Sequence, residues 1–600
     1  MLFKDRKKAW ETINEITNYK YRRKTEIKYL KNENGEQLRK SQEKSNCLNQ
    51  YFNKIGHEMA QKFDDSEQNY CDNIKTPEST IFMSNTDVSE VQKIVKGLKI
   101  NKAPGIDGIS NYIIKVSENI ITPHLVNLFN SCMTTGVFPD DLKIACITPL
   151  YKDGDPSDPS NYRPISLLPQ FGKMFERIIK KRFVNFFDKH KLITEHQFGF
   201  RENYCTELAV AEIQDMLLKN LDDNRVSCTI FLDLKKAFDS VDHGILLKKL
   251  EKHGIRGNAL SLIKSYLTNR KHAVKLENCL SDFLTLKIGV PQGSVLGPLL
   301  FLIFINDLPN CSNFATKLFA DDTLLSAEAK NFEDLQAIVN CEIDKVCKWL
   351  SQNKLTLNVK KSKFMIVANQ TGKKRENFFV SMNGNNLERC QSYKYLGVFL
   401  DENLCWNTHI DYICEKVSKV CGIFAKLRYC VDFDLLKTVY HALVESHLLY
   451  CNLSWGDARK NILKPLQILQ NRIIRIMTFA PFSCSNVSQL FEDVEILKLD
   501  QIHLLSKAKF MHKHKNKKLP TNFEHYFSKT NQCSRYNLRS ASNSDYKCTW
   551  GKTSKSTERL QYKAVKIWNT IPKEIRNLSS LANFCAVYKV HLLNETIAVC

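Results

Sequence analysis

The chain has 600 residues, of which 43% are hydrophobic and 25% charged, a balance that excludes wholesale disorder. Its longest apolar stretch, residues 295–308, is too short and too interrupted by Gly297, Pro298, Asn306 and Asp307 to span a bilayer. With 87 Lys and Arg against 64 Asp and Glu, the formal net charge is +23; that excess suits a polyanion, nucleic acid above all, though a solubilising surface produces the same number.

The N-terminal sequence MLFKDRKKAWETINE has neither an apolar core nor a cleavage site, so it is not a secretory signal. Residues 1–85 read as a basic, mostly helical connector, with ten basic and four acidic residues in the first 31. A polar linker is expected at 64–86. From residue 88 the pattern becomes denser in apolar side chains. Helices are expected at 88–99, 111–131, 171–190 and 205–220, with strands at 227–234, 273–276, 316–325, 364–368 and 395–400. Strands scattered among helices without a fixed period indicate an α+β fold with a small sheet. Residues 409–514 are almost wholly helical by pattern, with Val417, Ile423, Leu427, Leu436, Val439, Leu443 and Leu448 at three-to-four spacing. Residues 501–577 carry 17 basic and 4 acidic side chains, densest at Lys513, Lys515, Lys517 and Lys518. The 21 cysteines are odd in number and include no C-x-x-C pair. They read as reduced thiols of an intracellular protein, in nucleus and cytoplasm, and not as a zinc site.

Chemistry concentrates in two acidic strings. In KLFADDTLLS (317–326) the adjacent acids Asp321 and Asp322 lie between two β-type runs, as at the tip of a hairpin. Adjacent carboxylates in an apolar setting repel and are costly to desolvate. An exposed turn explains the pair equally well when taken alone. About ninety residues upstream, CTIFLDLKKAFDSVDH (228–243) brings Asp233 to the end of an apolar strand. If the strands pair, Asp233 faces Asp321. Three carboxylates can then hold two Mg²⁺, or Mn²⁺ in their place, about 3.5–4 Å apart for in-line phosphoryl transfer. Such hard ions take oxygen ligands and need no His or Cys. Between the two strings runs IGVPQGSVLGPLLFLIFINDLP (288–309), a Gly-rich turn with one Gln followed by a buried helix.

In order and wording these strings resemble the reverse transcriptases of non-LTR retrotransposons (LINE class), closest to the jockey-like elements. The resemblance is carried by NKAPGIDGIS (101–110), ITPLYKDGDPSDPSNYRPISLLP (147–169), HQFGFR (196–201), FLDLKKAFDSV (231–241), GVPQGSVLGPLLFLIFINDL (289–308), FADD (319–322), LTLNVKKSK (355–363) and YKYLGVFLD (393–401). It implies a right-hand polymerase fold: fingers and palm over 86–408, a helical thumb over 409–500, a basic N-terminal connector over 1–85 and a basic nucleic-acid-binding segment over 501–600. It also implies that Asp233, Asp321 and Asp322 form the catalytic, metal-binding triad. Phe238 matches the aromatic gate that favours dNTPs over NTPs, although ordinary core packing would account for its spacing. Gln292 and Gly293 match the turn lining the nucleotide pocket. Lys152 and Arg163 match residues that grip the triphosphate. Lys361 matches a lysine that protonates departing pyrophosphate, with Lys360 and Lys363 as neighbours that could replace it. Tyr395, Leu396 and Gly397 match the hairpin supporting the primer end.

His196 and His243 stand beside motifs but in no hydrolase order, and read as structural. The tail strings RYNLRS (535–540) and KIWNTIP (566–572) resemble jockey-like tails. Aromatics there (Tyr536, Trp550, Tyr562, Trp568) alternate with Lys and Arg, as base stacking and phosphate neutralisation require, while Trp568 reads as core. The implied activity is RNA-directed DNA synthesis on an RNA template from a DNA primer or target, by target-primed reverse transcription. Neither an endonuclease, an RNase H acid cluster nor a Cys/His knuckle is legible, so cleavage of the target is expected from another domain or protein. Two rivals exist: a degenerate or domesticated copy that binds nucleic acid without catalysis, and an intron-encoded maturase. The maturase would usually place Tyr where this chain has Phe319.

Overall fold

The computed structural model describes residues 10–11, 27–60, 74–369, 377–481, 486–529, 546–548 and 550–595. Its organising element is the strand Val226–Leu232, which is buried at every position. A strand covered on both faces reads as a near-continuous apolar run, here interrupted only by the buried Ser227 and Thr229. It lies in the middle of a five-stranded sheet ordered Glu388–Arg389, Lys363–Val367, Val226–Leu232, Asp322–Ala329, Ala315–Phe319. Its pairings with both neighbours are antiparallel. Successive side chains go to opposite faces. Val226, Cys228, Ile230 and Leu232 join one core with the helices Gln170–Lys189, Gly297–Ile305 and Phe332–Gln352. Phe231 joins a second core with the helix Thr206–Asp222 and the hairpin Ser392–Tyr395/Val398–Asp401.

Most expected elements are present, with informative differences. The run 316–325 is two strands around a two-residue turn, and 395–400 is likewise part of a hairpin. The single helix expected at 111–131 is two, Asn111–Val116 and Glu118–Thr135. Ser117 divides them: its hydroxyl turns back to donate to the Ile113 carbonyl at 2.8 Å, and its own backbone leaves the helical range.

A second sheet is ordered Tyr162–Leu167, Ala145–Tyr151, Arg270–Leu276, Cys279–Leu280, with Leu284–Leu286 also on Arg270–Leu276. Part of the segment expected as a connector covers it. Helix Ser41–Ala60 sets Leu48 and Phe52, with Ile27 and Leu30, against Ile147, Tyr162 and Val274. The buried Lys44 ammonium donates to the Ile27 carbonyl at 2.6 Å.

Beyond the sheets, helix Asn407–Leu427 packs along Lys460–Thr478. Helix Leu499–Lys515 runs straight through the boundary expected at residue 501 and carries Leu560–Thr570 and Leu581–Glu595 on its flank. Trp568 is 1% exposed and belongs to the shared core, whereas Trp550 is 76% exposed. Tyr536 and the string 535–540 lie outside the described residues. No helix among the described residues is long and apolar enough to cross a membrane, and every cysteine described is a free thiol.

One buried charge ties these helical segments together. The Asp457 carboxylate accepts from His503 Nε2 at 2.9 Å and Lys507 Nζ at 2.6 Å and forms an ion pair with Lys563 Nζ at 3.0 Å. Burial alone would raise the Asp457 pKa, but Lys507, His503 and Lys563 hold it well below the usual carboxylate range. A depressed carboxylate stabilises the fold above its unfolded pKa of about 4, and that contribution disappears as pH falls through the folded value. Removing one member of a buried ion cluster leaves uncompensated charge and costs about 3–5 kcal/mol. Asp457→Ala is therefore expected to lower the urea midpoint by a corresponding amount at pH 7.5. A change under about 1 kcal/mol, the size of a surface pair, would show that the cluster does not hold the helices together.

Candidate active site

The register that pairs Asp322 with Phe319 leaves Ala320 and Asp321 as the two central residues of a hairpin turn. Ala320 takes φ +56°, a left-handed value that primed hairpin turns usually give to glycine. The strained tip is braced from outside. Ala320 N–H donates to the buried Gln197 Oε1 at 3.0 Å, and Gly199 N–H donates to the same oxygen at 2.8 Å. The HQFGFR segment runs beside Ala315–Phe319, with Phe198 N–H on the Leu318 carbonyl and Leu318 N–H on the His196 carbonyl. A Cβ at residue 199 would lie 2.5 Å from Ala320 N. Glycine is thus required there for the brace to close. Neither Gln197 nor Gly199 carries a sequence signal that marks it as a support.

The register Thr323↔Leu232, continued by one residue, sets Asp322 across from Asp233. Asp321, at the turn, completes the group. Burial raises the Asp321 pKa and Asp233 adds to the rise, while Arg163 and Lys152 oppose it. Asp322 has solvent on one side, yet the protein packed around it, then Asp321 and Asp233, push its carboxyl up to about 6. Asp233 is seated by the LTLNVKKSK turn. Asn358 Nδ2 donates to Asp233 Oδ2 at 2.8 Å, Asn358 N–H to the Asp233 carbonyl at 2.8 Å, and Asp233 N–H to Ser362 Oγ at 3.1 Å. Asn358 and Ser362 likewise carry no sequence signal as supports. On the same turn Lys360 and Lys361 are exposed, whereas Lys363 is paired with Glu388 at 2.9 Å.

Among the described residues no three acidic, His or Cys side chains close around an ion as they stand. The donor set nevertheless fits a hard divalent cation. It consists of carboxylate oxygens alone, and the positive charge would relieve the repulsion that raises Asp321 and Asp322.

The hairpin of Tyr395, Leu396 and Gly397 flanks the acids. Leu396 and Gly397 lie between the paired residues Tyr395 and Val398 and take φ +46° and +84°. Tyr450 Oη donates to the Leu396 carbonyl at 2.6 Å and fixes this turn. The Tyr393 ring stacks on Phe231 at 4.1 Å, and residues 393–397 line one cleft with Asp322 and Thr323.

The Pro-Gln-Gly turn packs against the short helical turn Ala237–Ser240. Val290 N–H donates to the Phe238 carbonyl at 2.9 Å, and Ser166 N–H to the Gln292 carbonyl at 2.7 Å. Gly293, at φ +120°, sits so close to Ser166 that a Cβ would be 2.6 Å from its carbonyl oxygen. His243 Nε2 meets the Gly289 carbonyl at 2.8 Å, the structural role expected of it; His196 is half-buried beside its strand, its carbonyl accepting from Leu318 N–H. Phe238 stacks on Phe301 at 4.6 Å and meets Phe200 edge-on at 6.5 Å. Lys152 and Arg163 are exposed on the facing hairpin. Around one end of the sheet, Lys152 and Arg163 act on Asp321 and the 395–397 turn lines the cleft beside Asp322, while Phe238, Gln292 and Gly293 lie where the Pro-Gln-Gly turn packs on Ala237–Ser240, just after Asp233. Lys361 joins them only through the turn that seats Asp233.

Asp239 is a further residue here that sequence spacing does not single out. Gln292 Nε2 donates to both of its carboxylate oxygens at 2.9 Å. Burial nevertheless pushes its pKa to about 6, against the pull of Gln292 and Lys236. A raised folded pKa means stability is lost as pH rises from the unfolded value through about 6. At 1.4 kcal/mol per unit that is about 2–3 kcal/mol. Asp239→Asn keeps an acceptor for Gln292 and removes the charge. The variant is expected to be about 2 kcal/mol more stable than the parent at pH 8, with the difference roughly halved at pH 5 and gone near pH 3. A gap of equal size at all these pH values in urea unfolding would contradict this account.

Residues 151–400 match the family model described as reverse transcriptase (RNA-dependent DNA polymerase). The chain is 30% identical over 413 residues to the RNA-directed DNA polymerase from mobile element jockey of Drosophila melanogaster, covering 67% of this chain and 44% of that protein. It is 32% identical over 409 residues to the jockey polymerase of Drosophila funebris, covering 66% of this chain and 44% of that protein. The matched part therefore spans less than half the length of these relatives. Among solved structures, a telomerase from Candida albicans in complex with a fragment of telomeric RNA aligns with a TM-score of 0.33 and 13% identity, over 60% of this chain and 66% of that one; a likeness that weak supports no conclusion. Residues 151–400 thus match the reverse transcriptase family, and about two-thirds of the chain is similar to RNA-directed DNA polymerases of jockey and related mobile elements.

Proposed function

We propose that the protein is an RNA-directed DNA polymerase that extends a DNA 3′-end with dNTPs on an RNA template. The observation that carries this reading is the position of Asp233, Asp321 and Asp322 at one sheet end, between the cations Lys152 and Arg163 and the Tyr395–Gly397 turn. In-line phosphoryl transfer needs a held hydroxyl, a held triphosphate and compensation of developing charge. Two Mg²⁺ held by Asp233, Asp321 and Asp322 would supply that compensation and the activation of the 3′-hydroxyl.

The chain's own residues supply placement. Arg163 and Lys152 bind triphosphate oxygens, the first through a bidentate fork and the second as a point charge. Phe238, fixed between Phe301 and Phe200, occupies the volume a ribose 2′-hydroxyl would need. Gln292, anchored on Asp239, and Gly293 bring backbone close to the incoming nucleotide. Lys361, exposed beside the Asp233 seat, delivers a proton to departing pyrophosphate. Tyr395, Leu396 and Gly397 support the primer end. In this reading the fold is the right hand, with fingers and palm over 86–408 and thumb over 409–500. The flanking basic segments hold template and target, and the physiological reaction is target-primed reverse transcription, with an endonuclease from another domain or protein.

The test is primer extension on poly(rA)/oligo(dT) with dTTP and Mg²⁺, beside Asp321→Asn. Extension by the parent and background by the variant is the expected result. No extension by the parent, with salt-sensitive RNA binding intact, would instead identify a nucleic-acid-binding protein without catalysis. With an active parent, Phe238→Ala is expected to raise NTP use relative to dNTP by about tenfold or more, equivalent to 1.4 kcal/mol; an unchanged ratio would return Phe238 to core packing.

A further inference from the structure

We infer that Lys236 is a third triphosphate-binding cation, reaching the anion from the wall opposite Lys152 and Arg163. Lys236 stands three residues after Asp233, where the chain takes φ 48° and ψ 47° before the turn Ala237–Ser240. A non-glycine residue in this left-handed region costs about 1–2 kcal/mol. The conformation directs the side chain across the cleft, toward the strand that holds Arg163. Its Nζ lies 3.3 Å from the Ser160 carbonyl and 3.5 Å from the Tyr162 carbonyl. An ammonium has three N–H donors, so two carbonyls leave one free.

The charges around it point to a polyanion. Burial lowers the Lys236 pKa, and Lys152 and Arg163 lower it further, while Asp239 and Asp158 oppose. Lys152 and Arg163 also act on Asp321. Among the described residues, none of the three cations forms an ion pair with a carboxylate. Three crowded positive charges, none of them ion-paired with the nearby carboxylates, are unfavourable in the free protein and favourable around a ligand carrying several negative charges. The Tyr51 ring, 5.9 Å from the Lys236 ammonium, closes the far side. Tyr51 belongs to the helix that also packs Gly56 onto the Asp239 backbone.

Because this assignment rests on the polymerase reading for the identity of the anion, its test has two parts. Lys236→Met keeps the aliphatic stem, and Lys236→Arg keeps the charge. In primer extension, Met is expected to raise the KM for dTTP about tenfold or more, with kcat and the melting temperature close to the parent's. Arg is expected to restore KM to within about threefold. An unchanged KM in the Met variant overturns the assignment. So does a raised KM that comes with lost thermal stability and is not rescued by Arg, which would mark a latch for the 160–162 segment. In calorimetry with inorganic tripolyphosphate, which needs no turnover, affinity should fall in parallel for Met and return for Arg. If the parent extends no primer, the polymerase reading fails separately. The tripolyphosphate series then decides alone: a tenfold loss in Met, restored by Arg, upholds Lys236 as an anion ligand, and equal affinities overturn it.

Discussion

The antiparallel register between Val226–Leu232 and Asp322–Ala329 is the constraint on which the site depends. A slip of one residue would move every side chain of either strand to the opposite face. Ile230 would then leave its core for that of Phe231, and Asp322 would no longer stand across from Asp233. Because the central strand is buried on both faces, both cores enforce the same register. Apolar packing thereby decides where the acids fall. The acids themselves contribute no stability to the arrangement, since burial and mutual repulsion raise both Asp321 and Asp322.

Polar supports then hold what packing alone would let relax. Gln197 holds the strained Ala320 peptide, Asn358 and Ser362 hold Asp233, and Asp239 holds Gln292. Glu176 does the same for the far side of the Pro-Gln-Gly turn. Its buried carboxylate accepts the N–H groups of Val295 and Leu296 at the start of helix Gly297–Ile305. Burial raises the Glu176 pKa even so. Asp457, far from the site, shows the opposite balance: three cationic or donor side chains surround one carboxylate and lower its pKa. Charge is neutralised where it joins helices and left partly uncompensated where the chemistry is read.

The acids and the strands that carry them were legible because each lies in one contiguous string with its own apolar flanks. The supports were not. Gln197, Asn358 and Asp239 act across 123, 125 and 53 residues of chain respectively, and a single Gln, Asn or Asp has no periodicity to reveal it. Helix Ser41–Ala60 read as part of a polar connector because few apolar side chains, chiefly Leu48 and Phe52, dock it on the second sheet. The break at Ser117 was hidden because Ser is tolerated inside helices and declares itself a terminus only when its hydroxyl bonds back to the chain. Trp568, by contrast, was legible as core because its neighbours Ala564, Val565 and Ile571 recur at helical spacing.

The two charge sets bear on why a binding role alone explains the site poorly. Lys152, Arg163 and Lys236 would strengthen attachment to any nucleic acid backbone by releasing counterions. Clustered, partly buried carboxylates would weaken that attachment, and Asp322 at a pKa of about 6 is costly to keep ionised at neutral pH. Rigid sheets keep the carboxylates and the cations close enough to influence each other without forming ion pairs. A ligand that combines phosphates with divalent cations satisfies both sets at once, the phosphates on the Lys and Arg side and the metals on the Asp side. A bare nucleic acid strand satisfies only one. The proposed nucleotidyl-transfer reading therefore gives the costly carboxylate half of the site a use that a clamp would not.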